Sequence, residues 1–229
     1  LEAWLENKFH GSMHYMARHR DKRADPEKLL EGAQSIISVI LPYYPEKKQE
    51  KGPKIAKYAL GKDYHIVVKN KLYQLYHFIK EKDKHARGRV FTDSAPVFDK
   101  AWAEKSGLGW TGKNTLLLNK KHGSYFFIGE IILNLALFPD KPETKNYCGT
   151  CTRCLDACPT GALTGPFQLD ARKCISYLTI EHQGELPDDV DPKGYIFGCD
   201  ICQDVCPWNG KIQPSGEKEF SPNETLMQM

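Results

Sequence analysis

The sequence predicts a mixed α/β or α+β layered fold that gives way, near residue 144, to a small region whose core is metal more than hydrocarbon. Three features carry that reading. Short aliphatic or β-branched runs alternate with amphipathic stretches as far as Leu137. All eight cysteines fall between Cys148 and Cys206, leaving the first 147 residues without one. The same late region is punctuated by Pro and Gly, which suits loops wrapped around metal better than a packed apolar layer.

The elements follow in order. Leu1 to about Arg20 spaces its apolar residues as a helix does, and Leu29, Leu30 and Ala33 suggest a further short helix. Ser35 to Leu41 is a β-branched run stopped by Pro42, so it reads as a buried strand. The Pro, Lys and Gly residues between Pro45 and Pro53 mark a loop. From Asp63 to Lys82 the apolar positions Ile66, Val67, Leu72, Leu75, Phe78 and Ile79 recur at helical intervals. Arg89 to Thr92 reads as a strand, and Ala95 to Lys105 as a helix ended by Gly107. Leu116 to Leu118, Ser124 to Ile128 and Glu130 to Leu137 supply the remaining strands. The expected organisation is a domain over 1–143, a cysteine-rich domain over 144–210, and the start of a further segment over 211–229.

Composition bounds the function. A chain of 229 residues at 41% hydrophobic content buries a sizeable core, and a net charge of +3 is too mild to exclude any class of partner. The longest apolar run, Ile128 to Phe138, is interrupted by Gly129, Glu130 and Asn134 and is too short to cross a bilayer, so no membrane partner is expected. Leu1-Glu2-Ala3-Trp4 carries no basic or apolar leader. Eight cysteines without an export signal then point to a reducing, cytoplasmic setting and to metal ligation instead of structural disulfides.

Cys148-x2-Cys151-x2-Cys154-x3-Cys158-Pro159 reproduces the bacterial ferredoxin run, in which three cysteines hold one [4Fe–4S] cubane and the fourth reaches to a second. Cys199-x2-Cys202-x3-Cys206-Pro207 repeats Cys151 to Pro159 at an offset of 48 residues, an internal duplication. The second block has Ile196 where the first has Cys148, and Cys174 is the one cysteine left to fill the vacancy. Crossing the fourth ligands assigns Cys148, Cys151, Cys154 and Cys206 to one cluster and Cys158, Cys174, Cys199 and Cys202 to the other. A pair of zinc ribbons is the competing reading, but the x3-Cys-Pro extension and the crossed duplication belong to cubanes. Two cubanes conduct electrons. A ferredoxin-like carrier would leave the first 147 residues unexplained, so the electrons are expected to reach something bound there.

Further motifs stand in the first domain: His10 to Met16 (HGSMHYM), Lys22 to Pro26 (KRADP), Tyr58 to His65 (YALGKDYH), Thr92 to Pro96 (TDSAP) and Gly107 to Asn114 (GLGWTGKN). With the cysteine blocks and the closing Cys199 to Asn209, they occur in the order found in epoxyqueuosine reductases, which the chain resembles over nearly its whole length. Members of that family usually start earlier and continue past Asn209, so a fragment at both ends is expected. The resemblance implies reduction of the epoxide of epoxyqueuosine to queuosine at the tRNA wobble position, with cobalamin as redox catalyst fed by the two clusters and by an external electron donor. It implies a cobalamin-binding first domain in which Arg23, Ala56, Asp93, Leu117 and Ile128 fall at corrin-contacting positions, the last two through main chain. Some relatives have Cys where Ala56 stands, which removes any thiol role there. The resemblance also makes Asp93 the catalytic acid. The D-x-H-x-x-G signature of histidine-ligated corrinoids fails at Val68, which fits a base-off corrin.

Each feature also has a plainer reading. Asp93 or Ser94 is a favoured cap for a helix beginning near Pro96, although reductive epoxide opening does need a proton donor of its kind. His65 reads as a surface or packed histidine and not as an iron or cobalt ligand. Gly107-x-Gly109-x-x-Gly112-Lys113 follows a helix and lacks phosphate-loop spacing, so it reads as a turn near the corrin or substrate. Lys47, Lys48, Lys51, Lys54, Lys57, Lys80, Lys82, Lys84, His85, Arg87 and Arg89 are either a solvated face or neutralise tRNA phosphates. A reductive dehalogenase-type corrinoid enzyme is the remaining alternative, one that usually carries an export signal.

Overall fold

The structure is a computed structural model and describes residues 1–47, 49, 52–187 and 190–228. In chain order it contains α1 (Glu2–Glu6), α2 (Arg20–Ala24), β1 (Ser35–Pro42), β2 (Lys54–Ile55), α3 (Tyr64–Lys82), β3 (Gly88–Phe91) and α4 (Asp99–Lys105). There follow β4 (Trp110–Thr111), β5 (Leu117–Leu118), β6 (Phe126–Leu133), α5 (Arg153–Asp156), β7 (Leu163–Gly165) and β8 (Gln168–Leu169). The last elements are α6 (Ile175–Ile180), β9 (Tyr195–Phe197), α7 (Ile201–Asp204) and α8 (Glu224–Gln228).

The core is a three-stranded sheet in the order β1-β6-β3, antiparallel throughout. Of the two layered classes expected, α+β is the one adopted. The segments 124–128 and 130–137, expected as two strands, join as the single central strand β6 because Gly129 continues the ladder. A Cβ there would stand 2.8 Å from both Leu72 and Val68, so glycine is what lets α3 lie close to the sheet. That helix buries Val67, Val68 and Leu72 against Phe127, Ile131 and Leu133, each worth roughly 1.5–3 kcal/mol of transfer free energy. The opposite face is covered by α4, with Ala103 against Leu117 and Phe126, and by Phe91, Val97 and Ile132. Strand β1 is half-buried along its length instead of fully buried, as its edge position dictates.

Two expected helices are shorter than their periodicity suggested. From Leu1 to Arg20 only α1 and one turn at His14–Met16 are helical. Lys8 and Gly11 take positive φ, and Trp4 and Met13 pack against Ala171, Tyr177 and Leu178 of the cysteine-rich region. The apolar spacing there serves a tertiary contact, not a helix face. Helix α4 begins at Asp99 instead of Ala95, because Ser94, Ala95 and Val97 each bond the carbonyl two residues back. Its N-cap is Phe98, with no side-chain cap, so neither Asp93 nor Ser94 caps it.

The sequence regions interlock. Trp4 Nε1 donates to the Leu169 carbonyl at 2.6 Å, and β2 pairs in parallel with β9. The segment after Asn209 returns to the first domain, where Ser215 bonds Pro42 and Tyr44 and Phe220 enters the core beside Phe127. Among the described residues no helix is long and apolar enough to cross a membrane.

Candidate active site

The duplication in the sequence survives in three dimensions. Cys154 sits in α5 and Cys202 in α7, helices of four residues each that stand 48 positions apart and pack together. Cys158 N–H bonds the Leu155 carbonyl, and Cys206 N–H bonds that of Gln203, its repeat equivalent. The departure from symmetry is equally local. Ile196 lies on β9 and is half exposed, while Cys174, at the N-cap of α6, points among Ala171, Tyr177 and Leu178.

The eight thiols line two cavities. One, of about 250 Å³, is bounded by Cys148, Cys151, Cys154 and Cys206. The other, of about 550 Å³, has Cys158, Cys174, Cys199 and Cys202 on one wall. Burial and the neighbouring sulfurs raise the Cys154 and Cys206 thiols, and push that of Cys199 up to about 11. Iron would supply the positive charge that a set of clustered, partly buried thiolates needs. Among the described residues no three His, Cys, Asp or Glu side chains converge on a single-ion site. Four sulfurs spread around a cavity suit a cubane, whereas zinc demands tight tetrahedral convergence. The smaller cavity is walled by Tyr147 and Trp208, which pack edge-on to buried Trp110. Lys113, from the glycine-rich turn, donates to the carbonyls of Gly149 (2.7 Å) and Cys151 (2.9 Å), tying that turn to the cysteine loop.

The wall carrying Cys199 and Cys202 is fixed to the sheet by a buried polar chain. Asn209 accepts from Ser124 N–H at 2.8 Å and donates to Ser124 Oγ at 2.9 Å; Ser124 Oγ donates to Gln203, and Gln203 donates to Asp200. Asp200 in turn accepts from Lys57 N–H at 2.7 Å. Lys57 Nζ is committed to Asp200 and Asp204, so it does not belong to a free basic face, whereas Arg89 is exposed and donates to the Leu29 carbonyl. Lys80, Lys82, Lys84 and His85 are at the surface, and Lys48 and Lys51 lie outside the described residues.

The larger cavity is also lined by Asp93, at φ 56 in the turn after β3. Its Oδ2 accepts from the Tyr64 hydroxyl at 2.5 Å and lies 3.3 Å from His65 Nε2. Tyr64 is held flat against Phe127, with ring centroids 4.3 Å apart. Burial and the Asp93 carboxylate push its phenol well up, so it stays a donor. The signal for this contact was available only as the adjacency of Tyr64 and His65 at the start of a helix; that the helix would face Asp93 was not.

Of the other residues assigned to a corrin, Ile128 lines this cavity. Arg23, Ala56 and Leu117 do not. Arg23 is buried with its Nε unpartnered, Ala56 packs against Gly198 beside Cys199, and Leu117 has its side chain in the core. Asn114, which closes the Gly107 to Asn114 motif but was given no role, lines both cavities and has a buried, unpartnered Nδ2. The cavity walls are largely Tyr58, Tyr64, Phe127, Tyr177 and Ile180, with polar groups at their margin. A broad, flat, mainly apolar group with amide edges fits this lining. Beneath it Glu130, fully buried on β6, has neither carboxyl oxygen bonded to any N–H or hydroxyl and faces the carboxyl of Asp99. Burial and the Asp99 charge raise Glu130 strongly, so it carries a proton at neutral pH.

Comparison with known proteins adds to this geometry. Residues 23–94 match the family model described as epoxyqueuosine reductase QueG, and residues 147–209 match that of a 4Fe-4S double cluster binding domain. An epoxyqueuosine reductase of Leadbetterella byssophila is 56% identical over 99% of this chain and 75% of its own length. The structure of the Bacillus subtilis epoxyqueuosine reductase, captured with an aspartate-bearing catalytic loop swung out of the active site, superposes with a TM-score of 0.85 at 37% identity. It covers 92% of this chain and 57% of that one. An epoxyqueuosine reductase solved with an epoxyqueuosine-modified tRNA stem loop gives a TM-score of 0.82 at 37% identity, covering 90% of this chain and 57% of that one. The chain belongs to the epoxyqueuosine reductase family.

Proposed function

We propose that this chain reduces epoxyqueuosine to queuosine in tRNA, using two [4Fe–4S] clusters and cobalamin. One observation carries the reading: a single cavity is lined by four of the cysteines and by Asp93, so electrons and a proton can meet in one space. The relative crystallised with a modified stem loop supports tRNA as the substrate, and the exposed Lys80, Lys82 and Lys84 are candidates for its phosphates. Membership of a reductase family argues against a free electron carrier and against a dehalogenase.

In this reading Cys148, Cys151, Cys154 and Cys206 would hold one cluster, with an external donor supplying the electrons. Cys158, Cys174, Cys199 and Cys202 hold the cluster facing the cavity. Ile128, Asp93 and Asn114, which line the cavity, would hold the corrin there. Bound there, cobalamin supplies low-valent cobalt, and the clusters supply electrons one at a time. The protein's own part is to exclude water with its aromatic walls and to place a proton. Asp93, oriented by the Tyr64 hydroxyl, gives its carboxyl proton to the epoxide oxygen as the C–O bond opens. The relative solved with an aspartate-bearing catalytic loop swung out of the active site supports that role.

Anaerobically reconstituted protein is therefore expected to carry about eight iron atoms with matching sulfide, to retain cobalamin through gel filtration, and to convert epoxyqueuosine in tRNA. Stoichiometric zinc without sulfide, or reconstituted protein that holds no cobalamin and converts nothing, would sink the proposal. Cys174→Ala should damage the cavity-facing cluster alone, removing one of two cubane signals in electron paramagnetic resonance of the reduced protein. Two unchanged signals would reduce Cys174 to a small buried apolar residue.

A further inference from the structure

Resting on the reading of the two cavities as cluster sites, we infer that the surface around Cys148, Cys151, Cys154 and Cys206 is where the electron donor docks, and that this donor is a small acidic flavoprotein of the flavodoxin type. Charge and access fix the face, and one exposed aromatic ring narrows the partner.

Residues 111–123, 140–156 and 206–211 frame the smaller cavity. They hold seven Lys or Arg residues against three carboxylates. Two of those carboxylates are already engaged: Glu143 pairs with Lys120 at 3.2 Å, and Asp156 accepts from Thr152 Oγ1 at 2.7 Å. Lys121, Lys145, Arg153 and Lys211 are exposed and pair with no carboxylate among the described residues. Arg153 lines the cavity itself. The turn carrying Lys121, closed by bonds between Asn119 and Gly123, lies against Asn209 and Ile212, so Lys121 and Lys211 stand on neighbouring loops. Asn146 donates to the Thr111 carbonyl at 2.8 Å, which brings Lys145 beside the glycine-rich turn. The larger cavity has the opposite balance, with Asp93, Asp99, Glu181 and Asp200 against Lys100. An acidic protein is therefore drawn to the first cavity and turned away from the second.

Electron transfer also needs close approach. Gly149 and Thr150, between Cys148 and Cys151, are exposed, and a Cβ at Gly149 would meet no atom within 4 Å. The loop over the thiols thus carries no bulky side chain to hold a partner away. Beside it Phe167 stands half exposed at φ 65, its N–H bonded to the Lys113 carbonyl at 3.0 Å. An aromatic residue in that conformation at the surface is an apolar foothold next to the basic rim. The apolar edge of a flavin can pack on it, whereas a ferredoxin presents its cluster within a backbone loop. Electron-transfer contacts of this kind are small, about 1,200 Å² or less, so charge governs their rate. Each encounter passes one electron: the reduced flavin loses it and keeps its proton, the cluster gains it, and no bond forms or breaks.

Cluster bleaching in anaerobic stopped flow measures this step on the loaded protein, with photoreduced flavodoxin or the methyl viologen radical cation as reductant. The flavodoxin rate should fall at least about tenfold between about 50 and 300 mM salt. At low salt it should fall at least about tenfold in the fourfold variant Lys121→Glu, Lys145→Glu, Arg153→Glu and Lys211→Glu. The viologen cation should reduce that variant at the wild-type rate or faster, and affinity for tRNA should hold. Lys121→Glu with Lys211→Glu, clear of the cysteine blocks, should show a smaller loss of the same sign, which keeps the outcome readable where the fourfold variant assembles poorly. A flavodoxin rate indifferent to salt and to both variants overturns the proposal, as does faster reduction by an acidic [2Fe–2S] ferredoxin. Lost tRNA affinity with unchanged donor rates overturns it as well, and makes the rim an RNA surface. If viologen-fed protein converts epoxyqueuosine while flavodoxin does not reduce it, only this proposal fails; protein without clusters sinks both readings.

Discussion

Asp93→Asn is expected to slow epoxyqueuosine conversion by about 10²–10⁴-fold while leaving the melting midpoint, iron content and cobalamin retention near wild type. The substitution is clean for structural reasons. Asp93 sits at φ 56, a left-handed conformation that Asn adopts as readily as Asp. It caps no helix, because α4 starts six residues later from Phe98 without a side-chain cap. The Asn side-chain oxygen can still accept the Tyr64 hydroxyl, so the turn after β3 keeps its tether. What disappears is an acidic proton beside the cavity. Asp93→Ala would lose the tether too and would confuse position with chemistry. Single-turnover conversion, cofactor content and thermal midpoint measured on one preparation decide the matter, and full activity of the Asn variant would exclude an essential proton from Asp93.

The cysteine framework was legible because cluster ligation is partly local in sequence: three of the first set's ligands fall within seven residues, and the duplication repeats the spacing at fixed offset, leaving Cys174 as the remote ligand. Cys148, Cys151, Cys154 and Cys206 line one cavity, and Cys158, Cys174, Cys199 and Cys202 line another. Helix α3 was equally plain, since Val67, Val68 and Leu72 are buried and Leu75 and Ile79 pack beside them, although Ile66 and Phe78 are exposed. Periodicity failed where apolar residues serve distant partners. Trp4 and Met13 read as one helical face but dock separately onto α6, beyond a Gly11 turn that faces Tyr177. The proton-donor neighbourhood was hidden for a related reason. A helical pattern tells which residues share a face, not which loop that face meets, so the contacts of Tyr64 and His65 with Asp93, nearly thirty residues on, leave no trace in the sequence. Gly129 and Glu130 looked like breaks in an apolar run. They are the centre of the sheet: Gly129 admits α3 on one face, and Glu130 points to the other.

That buried glutamate should make stability fall as pH rises. Glu130 has a folded-state proton affinity raised by burial and by Asp99, whose own carboxyl burial raises to about 7. Above the ordinary carboxylate range the unfolded chain has released this proton while the folded chain still holds it. The native state therefore binds more protons, and stability declines with pH through that window by about 1.4 kcal/mol per unit for one proton. Below the ordinary range both states are protonated and the penalty vanishes. Glu130→Gln preserves the shape, carries no proton, and can donate its amide to Asp99. Its thermal midpoint should be equal to or below wild type near pH 5 and above it at pH 8, the gap widening by about 3–5 °C per pH unit at matched scan rate. Salt should change this little, because the pair is screened from solvent. Midpoints that run parallel from pH 5 to 8 would mean that Glu130 is ionised in the fold, held by a partner other than Asp99.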